Sequence, residues 1–344
     1  MSLFDLLPDD VLVYILVQGE LGGVVNAARI DHRMRRLCNA QITIQSRKVA
    51  FLREKPFELG RKACLELQFA LASLSYINTL NLSYKQIDDE DMKTFSSALY
   101  SGALASLHRL RLYDNQIGDE GMNAFSSALR GGALVYLKDL TIEGNRVGDS
   151  GMLAFSTTIR NGALASLHAL NISQNNIGDE GLKAFSSALC SGALVSLEDL
   201  AFYNTNIGDE GLKAFSSALS SGARASLKRL YLHDNKIGDE GLKVLSGILS
   251  NGALSRLEVF CIDGNPAVGI DGVNVLSSSL SMGALMSLRV LSIDVSPVHN
   301  QLIEVCESRG VELNHDDSDD PDDYDEGDWG PEPDRFNRHL WSYW

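Results

Sequence analysis

The sequence predicts a parallel βα solenoid, in which a strand, a turn and a helix recur as one unit. The first observation is the segment NIGDEGLKAFSSAL, which occupies residues 176–189 and returns unchanged at residues 206–219. The second is an asparagine that keeps a spacing of 30 residues or its multiples, at Asn115, Asn145, Asn175, Asn235 and Asn265. The third is a strand frame, LxxLxL, ahead of each asparagine. A period this strict is the signature of a repeat architecture.

The unit that begins at Leu107 shows what each part of the repeat is expected to do. In LxxLxL the two-residue period of a strand turns Leu110 and Leu112 to one face, toward the core. Asn115 has donors and an acceptor for turn amides that would otherwise be buried without partners. Asp119 is expected to cap the helix that follows it. That helix presents an apolar stripe at helical spacing, formed by Met122, Phe125, Ala128 and Leu129.

About eight such units are predicted between residues 77 and 314. Their strand frames start at Ile77, Leu107, Leu137, Leu167, Leu197, Leu227, Leu257 and Leu288. Thr205 replaces the asparagine in the fifth unit, and the seventh has one extra residue. The pattern LxxLxLxxNxIGDEGxxAFxxAL resembles the leucine-rich repeats of the ribonuclease-inhibitor type. This resemblance implies an α/β horseshoe with a concave face that binds protein.

Residues 1–40 predict a separate, small helical module. The family pattern Leu-Pro-x-Asp/Glu-Val/Leu-Leu-x-x-Ile-Leu is matched by Leu7, Pro8, Asp10, Val11, Leu12, Ile15 and Leu16. This stretch resembles the F-box, although Met34 stands where that family usually has tryptophan. The resemblance implies docking onto a Skp-type adaptor of a cullin–RING ubiquitin ligase. The residues expected to fill the adaptor's groove are Leu7, Pro8, Val11, Leu12 and Ile15. A generic helical cap over the first repeat is the alternative.

Two further segments flank the repeats. Residues 41–76 are predicted to be a transitional helical cap. Residues 315–344 form an acidic tail with eleven acidic residues and two arginines, and its composition predicts disorder. The three tryptophans of the chain, Trp329, Trp341 and Trp344, all lie in this tail. Its aromatic end is either a plug over the last repeat or a docking motif for a partner.

Charge and composition exclude several classes of partner. The chain has a formal net charge of −15. An acidic protein has no general attraction to nucleic acid or anionic lipid, so neither is an expected partner. The five cysteines lie far apart and the N-terminus lacks the charge of a signal peptide, which favours a cytoplasmic or nuclear protein. No apolar run approaches the ~20 residues that cross a bilayer.

No residue pattern indicates an enzyme, a cofactor or a metal site. The IGDEG loops recur in every unit, which is typical of a structural role. The acidic tail does not match a calcium-binding loop, because aligning Gly327 with its glycine puts Tyr324 and Pro333 at ligand positions. The histidines lack a serine or cysteine at the spacing of a catalytic triad.

The outward strand positions differ in every unit, whereas the helices stay nearly constant. Arginine and tyrosine are the residue types that anchor protein interfaces. The residues predicted to bind a protein partner are Arg109, Arg111, Tyr113, Tyr203, Arg229, Tyr231 and His233. A merely solvated face is the alternative.

Three functions follow from these expectations. An F-box joined to leucine-rich repeats resembles the substrate receptors of ubiquitin ligases, in which the repeats hold the substrate. Ran GTPase-activating proteins also combine such repeats with an acidic C-terminal segment, and Asn81 and Arg109 lie near the end of the horseshoe where those proteins act. A non-catalytic leucine-rich-repeat scaffold is the third possibility.

Overall fold

Strands and helices alternate strictly along the part of the chain that the structure describes. The computed structural model describes residues 78–314, apart from 101, 103, 222–225 and 295–298. The predicted F-box-like module, the transitional cap and the acidic tail lie outside the described residues. The strands are β1 Thr79–Asn81, β2 Arg109–Arg111, β3 Asp139–Thr141, β4 Ala169–Asn171, β5 Asp199–Ala201, β6 Arg229–Tyr231, β7 Val259–Cys261, β8 Val290–Ser292 and β9 Glu312–Asn314.

The helices follow the strands one by one. They are α1 Asp89–Tyr100, α2 Asp119–Arg130, α3 Asp149–Arg160, α4 Asp179–Cys190, α5 Asp209–Ser220, α6 Asp239–Ser250, α7 Ile270–Ser281 and α8 Asn300–Arg309. The strands form one parallel sheet in chain order, β1 to β9. Each strand therefore pairs with the next unit, as a βα solenoid requires.

The register of the sheet follows the repeat. Leu80 pairs with Leu110, and Leu110 with Leu140, so equivalent positions stand side by side. Between β7 and β8 the partners are Phe260 and Leu291, which absorbs the extra residue of the seventh unit. Outward positions of neighbouring units therefore form continuous rows across the sheet.

Strand β9 is not predicted from the sequence. It follows the shorter helix α8, whose C-cap residue, Gly310, adopts the left-handed conformation with φ 65°. Its segment lacks the LxxLxL frame, although Val311 is buried and Leu313 packs against the core. The described chain thus ends with an additional strand at the edge of the sheet.

The core lies between the sheet and the helices. Equivalent phenylalanines of four successive helices are nearly inaccessible to water: Phe125, Phe155, Phe185 and Phe215. Each ring packs into one continuous cluster with the strand leucines. Because every unit buries its apolar face against its neighbours, the stability of the sheet is shared along the array.

The repeated asparagine joins two units rather than one. Asn145 Oδ1 accepts a hydrogen bond from the amide of Ile117 at 3.0 Å, one unit earlier. Its Nδ2 donates to the carbonyl of Leu112 at 2.9 Å and to that of Ile142 at 3.0 Å. The expectation that this residue satisfies turn amides is confirmed, and the bonds extend to the preceding turn.

Thr205 interrupts this asparagine ladder. Its hydroxyl lies 3.1 Å from the carbonyl of Phe202 in its own unit and 2.6 Å from Oδ1 of Asn235 in the next. The shorter side chain thus keeps the local contact and the forward contact. The backward link, which Asn145 makes to Leu112, has no equivalent among the described hydrogen bonds of Thr205.

The prediction that Asp119 caps its own helix is wrong. The N-cap residue of α2 is Gly118, and Asp119 is the first helical residue. Asp119 Oδ1 accepts from the amides of Gly148 at 2.7 Å and Gly151 at 2.9 Å, which belong to the start of α3. Each aspartate therefore caps the following helix, and six residues do so: Asp89, Asp119, Asp149, Asp179, Asp209 and Asp239.

Candidate protein-binding face

The outer face is the side of the sheet that points away from the helices. In each unit the middle strand residue, such as Leu110, is buried in the core, and its neighbours Arg109 and Arg111 point the other way. A third outward position, such as Tyr113, follows two residues later. This face therefore carries the variable residues of every unit.

The second unit presents an accessible basic and aromatic patch. Arg109 Nε lies 2.7 Å from Asp139 Oδ2, and the arginine side chain remains 60 % exposed. Tyr113 meets Tyr84 edge to face, with ring centroids 5.0 Å apart. Arg111 is half-buried. We call Arg109, Arg111 and Tyr113 the β2 patch.

A second group of outward residues forms a small cluster of its own. Tyr203 is 5 % exposed and Tyr231 is 8 % exposed, and both pack with Ala201 and Cys261. The ring of His233 stacks on Tyr203, with centroids 4.4 Å apart and planes 9° from parallel. We call these five residues the tyrosine cluster. The rings of Tyr203 and Tyr231 therefore have little surface open to water, and His233 is half-buried beside them.

Burial sets the charge of the groups around the tyrosine cluster. It lowers the pKa of His233, so this ring is neutral at physiological pH. It raises the pKa of the Cys261 thiol to about 12, which leaves the sulfur protonated and a poor nucleophile. Burial also raises the pKa of Asp199, although the guanidinium of Arg229, 2.5 Å away, opposes this shift.

Between the β2 patch and the tyrosine cluster, strand β4 carries small outward side chains. Ala169, Asn171 and Ser173 are all buried. The hydroxyl of Tyr203 donates to Glu143, so its side chain crosses over this strand. Asn171 Nδ2 donates to the same carboxylate at 2.8 Å.

Two ion pairs stand on either side of Ala169. Arg109 pairs with Asp139 on one side, and Arg229 pairs with Asp199 on the other. The first outward row therefore reads Arg, Asp, Ala, Asp, Arg from β2 to β6.

The structure brings the predicted partner-binding residues together in two places. Arg109, Arg111 and Tyr113 form the β2 patch, whereas Tyr203, Arg229, Tyr231 and His233 lie at or beside the tyrosine cluster. Three strand spacings, about 14 Å, separate β2 from β5. The predicted adaptor-binding residues Leu7, Pro8, Val11, Leu12 and Ile15 lie outside the described residues.

Sequence reasoning missed the acidic partners on this face. Three of the selected residues have an acidic partner on this face: Arg109 pairs with Asp139, Tyr203 bonds to Glu143, and Arg229 pairs with Asp199. The available signal was the repeat register, because Asp139 and Asp199 occupy the same outward row as Arg109 and Arg229.

Within residues 78–314, the described side chains form no group of three or more His, Cys, Asp or Glu that could hold a metal ion. His108, which immediately precedes strand β2, bonds locally: its Nδ1 lies 2.7 Å from the carbonyl of Ser106. None of the helices in this part of the chain combines the length and apolar character that crossing a membrane requires.

Comparison with known proteins identifies the repeat. A family model described as Leucine Rich repeat matches residues 103–126, 134–156, 163–186, 195–216 and 225–246. The chain therefore contains leucine-rich repeats. No curated protein matches it.

Among solved structures, 121 chains match. One is an internalin from Listeria monocytogenes str. 4b F2365, with 19 % sequence identity and a TM-score of 0.36. The match covers 66 % of this chain and 63 % of the internalin, so this chain spans less than two thirds of that protein.

Proposed function

We propose that this protein is an interaction adaptor that binds a protein partner on the outer face of its repeats. One comparison within the chain carries the proposal. The units of α4 and α5 share fourteen identical consecutive residues on the turn and helix side. Their strands differ completely on the outer face, with Ala169, Asn171 and Ser173 in one unit and Asp199, Ala201 and Tyr203 in the next. The turn and helix side is therefore constant between these two units, whereas the outer face of the sheet varies.

The β2 patch is the part of this face best suited to make contact. Arg109 is exposed and already oriented by Asp139, and Tyr113 is braced by Tyr84. Arginine and tyrosine anchors that are held in place lose little side-chain entropy on binding. The tyrosine cluster supports the neighbouring strands and offers a rigid border to the same surface.

At the N-terminus, we propose an F-box that links the repeats to a ubiquitin ligase. An apolar helix face formed by Leu7, Pro8, Val11, Leu12 and Ile15 would lie in the groove of a Skp-type adaptor. The repeats, which we assign to the ribonuclease-inhibitor type, would then hold the substrate on a concave face. The protein itself would do no bond chemistry, and it would work in the cytoplasm or nucleus.

A pull-down with the host's Skp-type adaptor tests this link. The full-length chain is expected to retain the adaptor, and the double variant Leu12→Asp/Ile15→Asp is expected to lose it, because two carboxylates cannot be buried in an apolar groove without a large cost. Asp9→Ala, at the variable position of the Leu-Pro-x-Asp/Glu pattern, is the matched control and should bind like the wild type.

Two results would remove the ligase assignment: no binding by the wild type, or equal binding by the double variant. A thermal melt of each protein shows that the repeats remain folded. Failure of this test would leave a non-catalytic leucine-rich-repeat scaffold, because binding on the outer face does not depend on residues 1–40.

A further inference from the structure

We propose that the edge of the solenoid at the carboxyl ends of helices α1, α2 and α3 binds a short acidic segment of a partner protein. This edge also carries the loops that lead into strands β2, β3 and β4. It is separate from the outer face of the sheet, so the inference goes beyond the proposed function. We call the exposed residues of this edge the basic rim: Tyr100, Arg130, Val135, Tyr136, Lys138 and Arg160.

The basic rim concentrates positive charge in a chain that is acidic as a whole. Residues 130–138 and 160–168 contain two arginines and one lysine and no acidic residue. Arg130, Lys138 and Arg160 are all exposed. None of the three forms a salt bridge with another described side chain. Their charge is therefore available to a partner.

Farther along the same edge, the cations have acidic neighbours. Lys228 Nζ lies 2.9 Å from Glu198 Oε2, and Arg289 Nε lies 3.9 Å from Glu258 Oε2. Lys138, Lys228 and Arg289 occupy equivalent positions just ahead of their strands. The difference between the units therefore lies in the missing acidic partners of the rim and not in the position of its cations.

The helix dipole does not account for this pattern. Cations at the carboxyl end of a helix are stabilised by its dipole, which acts alike on every helix. Helices α2 and α3 end in Arg130 and Arg160, whereas helices α4 to α7 end in uncharged residues: Cys190, Ser220, Ser250 and Ser281. Lys138 lies in a loop, where the dipole offers it no such role.

Large apolar side chains lie among these cations. Tyr100 is 72 % exposed, Tyr136 is 58 % exposed and Val135 is 49 % exposed. The ring of Tyr136 is inclined by 17° to that of His108, with centroids 6.5 Å apart. Other units carry serine at the position of Tyr136: Ser106, Ser166, Ser196 and Ser226. The aromatic surface is thus a feature of this part of the edge and not of the repeat.

Tyr100 is seated on the next unit. A Cβ at Gly131 would lie 2.6 Å from Cε2 of the Tyr100 ring, so the ring fills the space that the glycine leaves. Later units have larger residues at the position of Gly131, such as Asn161 and Ser191. A ring that is already held in place loses little side-chain entropy when a partner covers it.

The acidic residues of the helices are too distant to cancel the charge of the rim. Glu120 lies in the first turn of α2, and Arg130 is its last residue. Ten residues of helix separate the two by about 15 Å. The Debye length at physiological ionic strength is about 8 Å, so the carboxylates are largely screened from the rim. The three exposed cations therefore set the local potential.

The dimensions of the rim define its occupant. Neighbouring helices pack about 10 Å apart, so the row from Tyr100 to Arg160 spans about 20 Å. An extended peptide of about six residues covers this length. Its carboxylates would bond to the guanidinium groups of Arg130 and Arg160, and its apolar side chains would lie on the tyrosine rings. A long polynucleotide would extend past the rim over an acidic surface, which favours a short peptide.

Fluorescence anisotropy tests this surface in the full-length chain. The probe is a fluorescein-labelled peptide of about ten residues, composed of glutamates interrupted by tyrosines. Lys138→Glu/Arg160→Glu is expected to raise the Kd of the peptide about tenfold or more, because two attractive charges become repulsive. Arg146→Glu/Lys236→Glu is the matched control. It makes the same change in net charge at exposed positions on the opposite edge, and it should bind like the wild type.

A second variant tests the aromatic part of the rim. Tyr136→Ser introduces the residue that other units carry and is expected to weaken the peptide about threefold or more. Thermal melts verify that each variant is folded. A peptide with glutamine in place of glutamate is expected not to bind at the concentrations that saturate the acidic peptide.

Several results would overturn the proposal. They are no binding of the acidic peptide, equal affinity for both double variants, and tighter binding of an oligouridylate than of the peptide, which would indicate a nucleic acid. Tighter peptide binding after the aspartates of residues 316–328 are changed to asparagine in the full-length chain would assign the rim to the chain's own tail and would also overturn it.

The peptide assay is independent of the proposed function. Arg111→Glu alters the outer face and is expected to leave the affinity for the peptide unchanged. Lys138→Glu/Arg160→Glu is expected to retain the Skp-type adaptor in the pull-down. A failed adaptor pull-down therefore leaves the basic rim in place, and a failed peptide assay leaves the proposed function in place.

Discussion

Replacing Asn175 by alanine is expected to lower the free energy of unfolding by about 3 to 4 kcal/mol. The Oδ1 atom of Asn175 accepts from the amide of Val147 at 2.9 Å, and its Nδ2 donates to the carbonyls of Ile142 and Ile172 at 2.9 and 3.0 Å. These backbone groups lie in the buried turns of two units. Alanine leaves the amide of Val147 and the carbonyl of Ile172 without a hydrogen bond, which is the costly case, and the carbonyl of Ile142 keeps only its bond from Asn145.

The neighbouring residue is a matched control. Asn176 is exposed, so Asn176→Ala removes the same side-chain atoms from solvent-facing positions. Its effect is expected to stay within about 0.5 kcal/mol. Urea denaturation followed by circular dichroism measures both variants. Equal midpoints for Asn175→Ala and Asn176→Ala would show that the asparagine ladder does not stabilise the repeats.

Two glycine-to-alanine changes in helix α6 are expected to act in opposite directions. A Cβ at Gly241 would lie 2.6 Å from Asp209 Oδ1 and 3.1 Å from its Cα, so the capping contact between helices must open. A Cβ at Gly247 would meet nothing within 4 Å. Gly241→Ala is therefore expected to destabilise the protein by about 2 to 3 kcal/mol, through strain and the loss of the cap.

The change at Gly247 is the control for helix propensity. Alanine is favoured over glycine inside a helix, so Gly247→Ala should stabilise the protein by about 0.5 to 1 kcal/mol. The same urea titration gives the sign of each effect. A stabilising Gly241→Ala would mean that the aspartate cap tolerates a side chain at this position, contrary to the close approach of the two helices.

The repeat period predicted most of the fold, because it relates each unit to the next. The strands, the helices and the role of the asparagine follow from local patterns of leucine and asparagine. The partner of Asp119 could not be found in this way, since Gly148 and Gly151 lie one unit later and their closeness depends on the packing of parallel helices. Strand β9 was missed because Glu312–Asn314 pairs with β8 without carrying the repeated frame.

The candidate site was predicted in part. The arginine and tyrosine types located the β2 patch, where the side chains are accessible. The same types also selected Tyr203 and Tyr231, which the structure places in a packed cluster. Residue type alone does not distinguish an exposed ring from the ring of Tyr203, which stacks on His233 of the next unit. That difference depends on how rows of side chains meet across the sheet.

The measurement that tests the central claim most directly is quantitative affinity purification from host cells, using the full-length chain and two charge-reversal variants in the same unit. Arg111→Glu alters the outer face, and Arg130→Glu makes the same change at the exposed end of helix α2. We predict that at least one protein recovered with the wild type and with Arg130→Glu is lost with Arg111→Glu. Equal recovery of every protein with all three chains would contradict binding on the outer face.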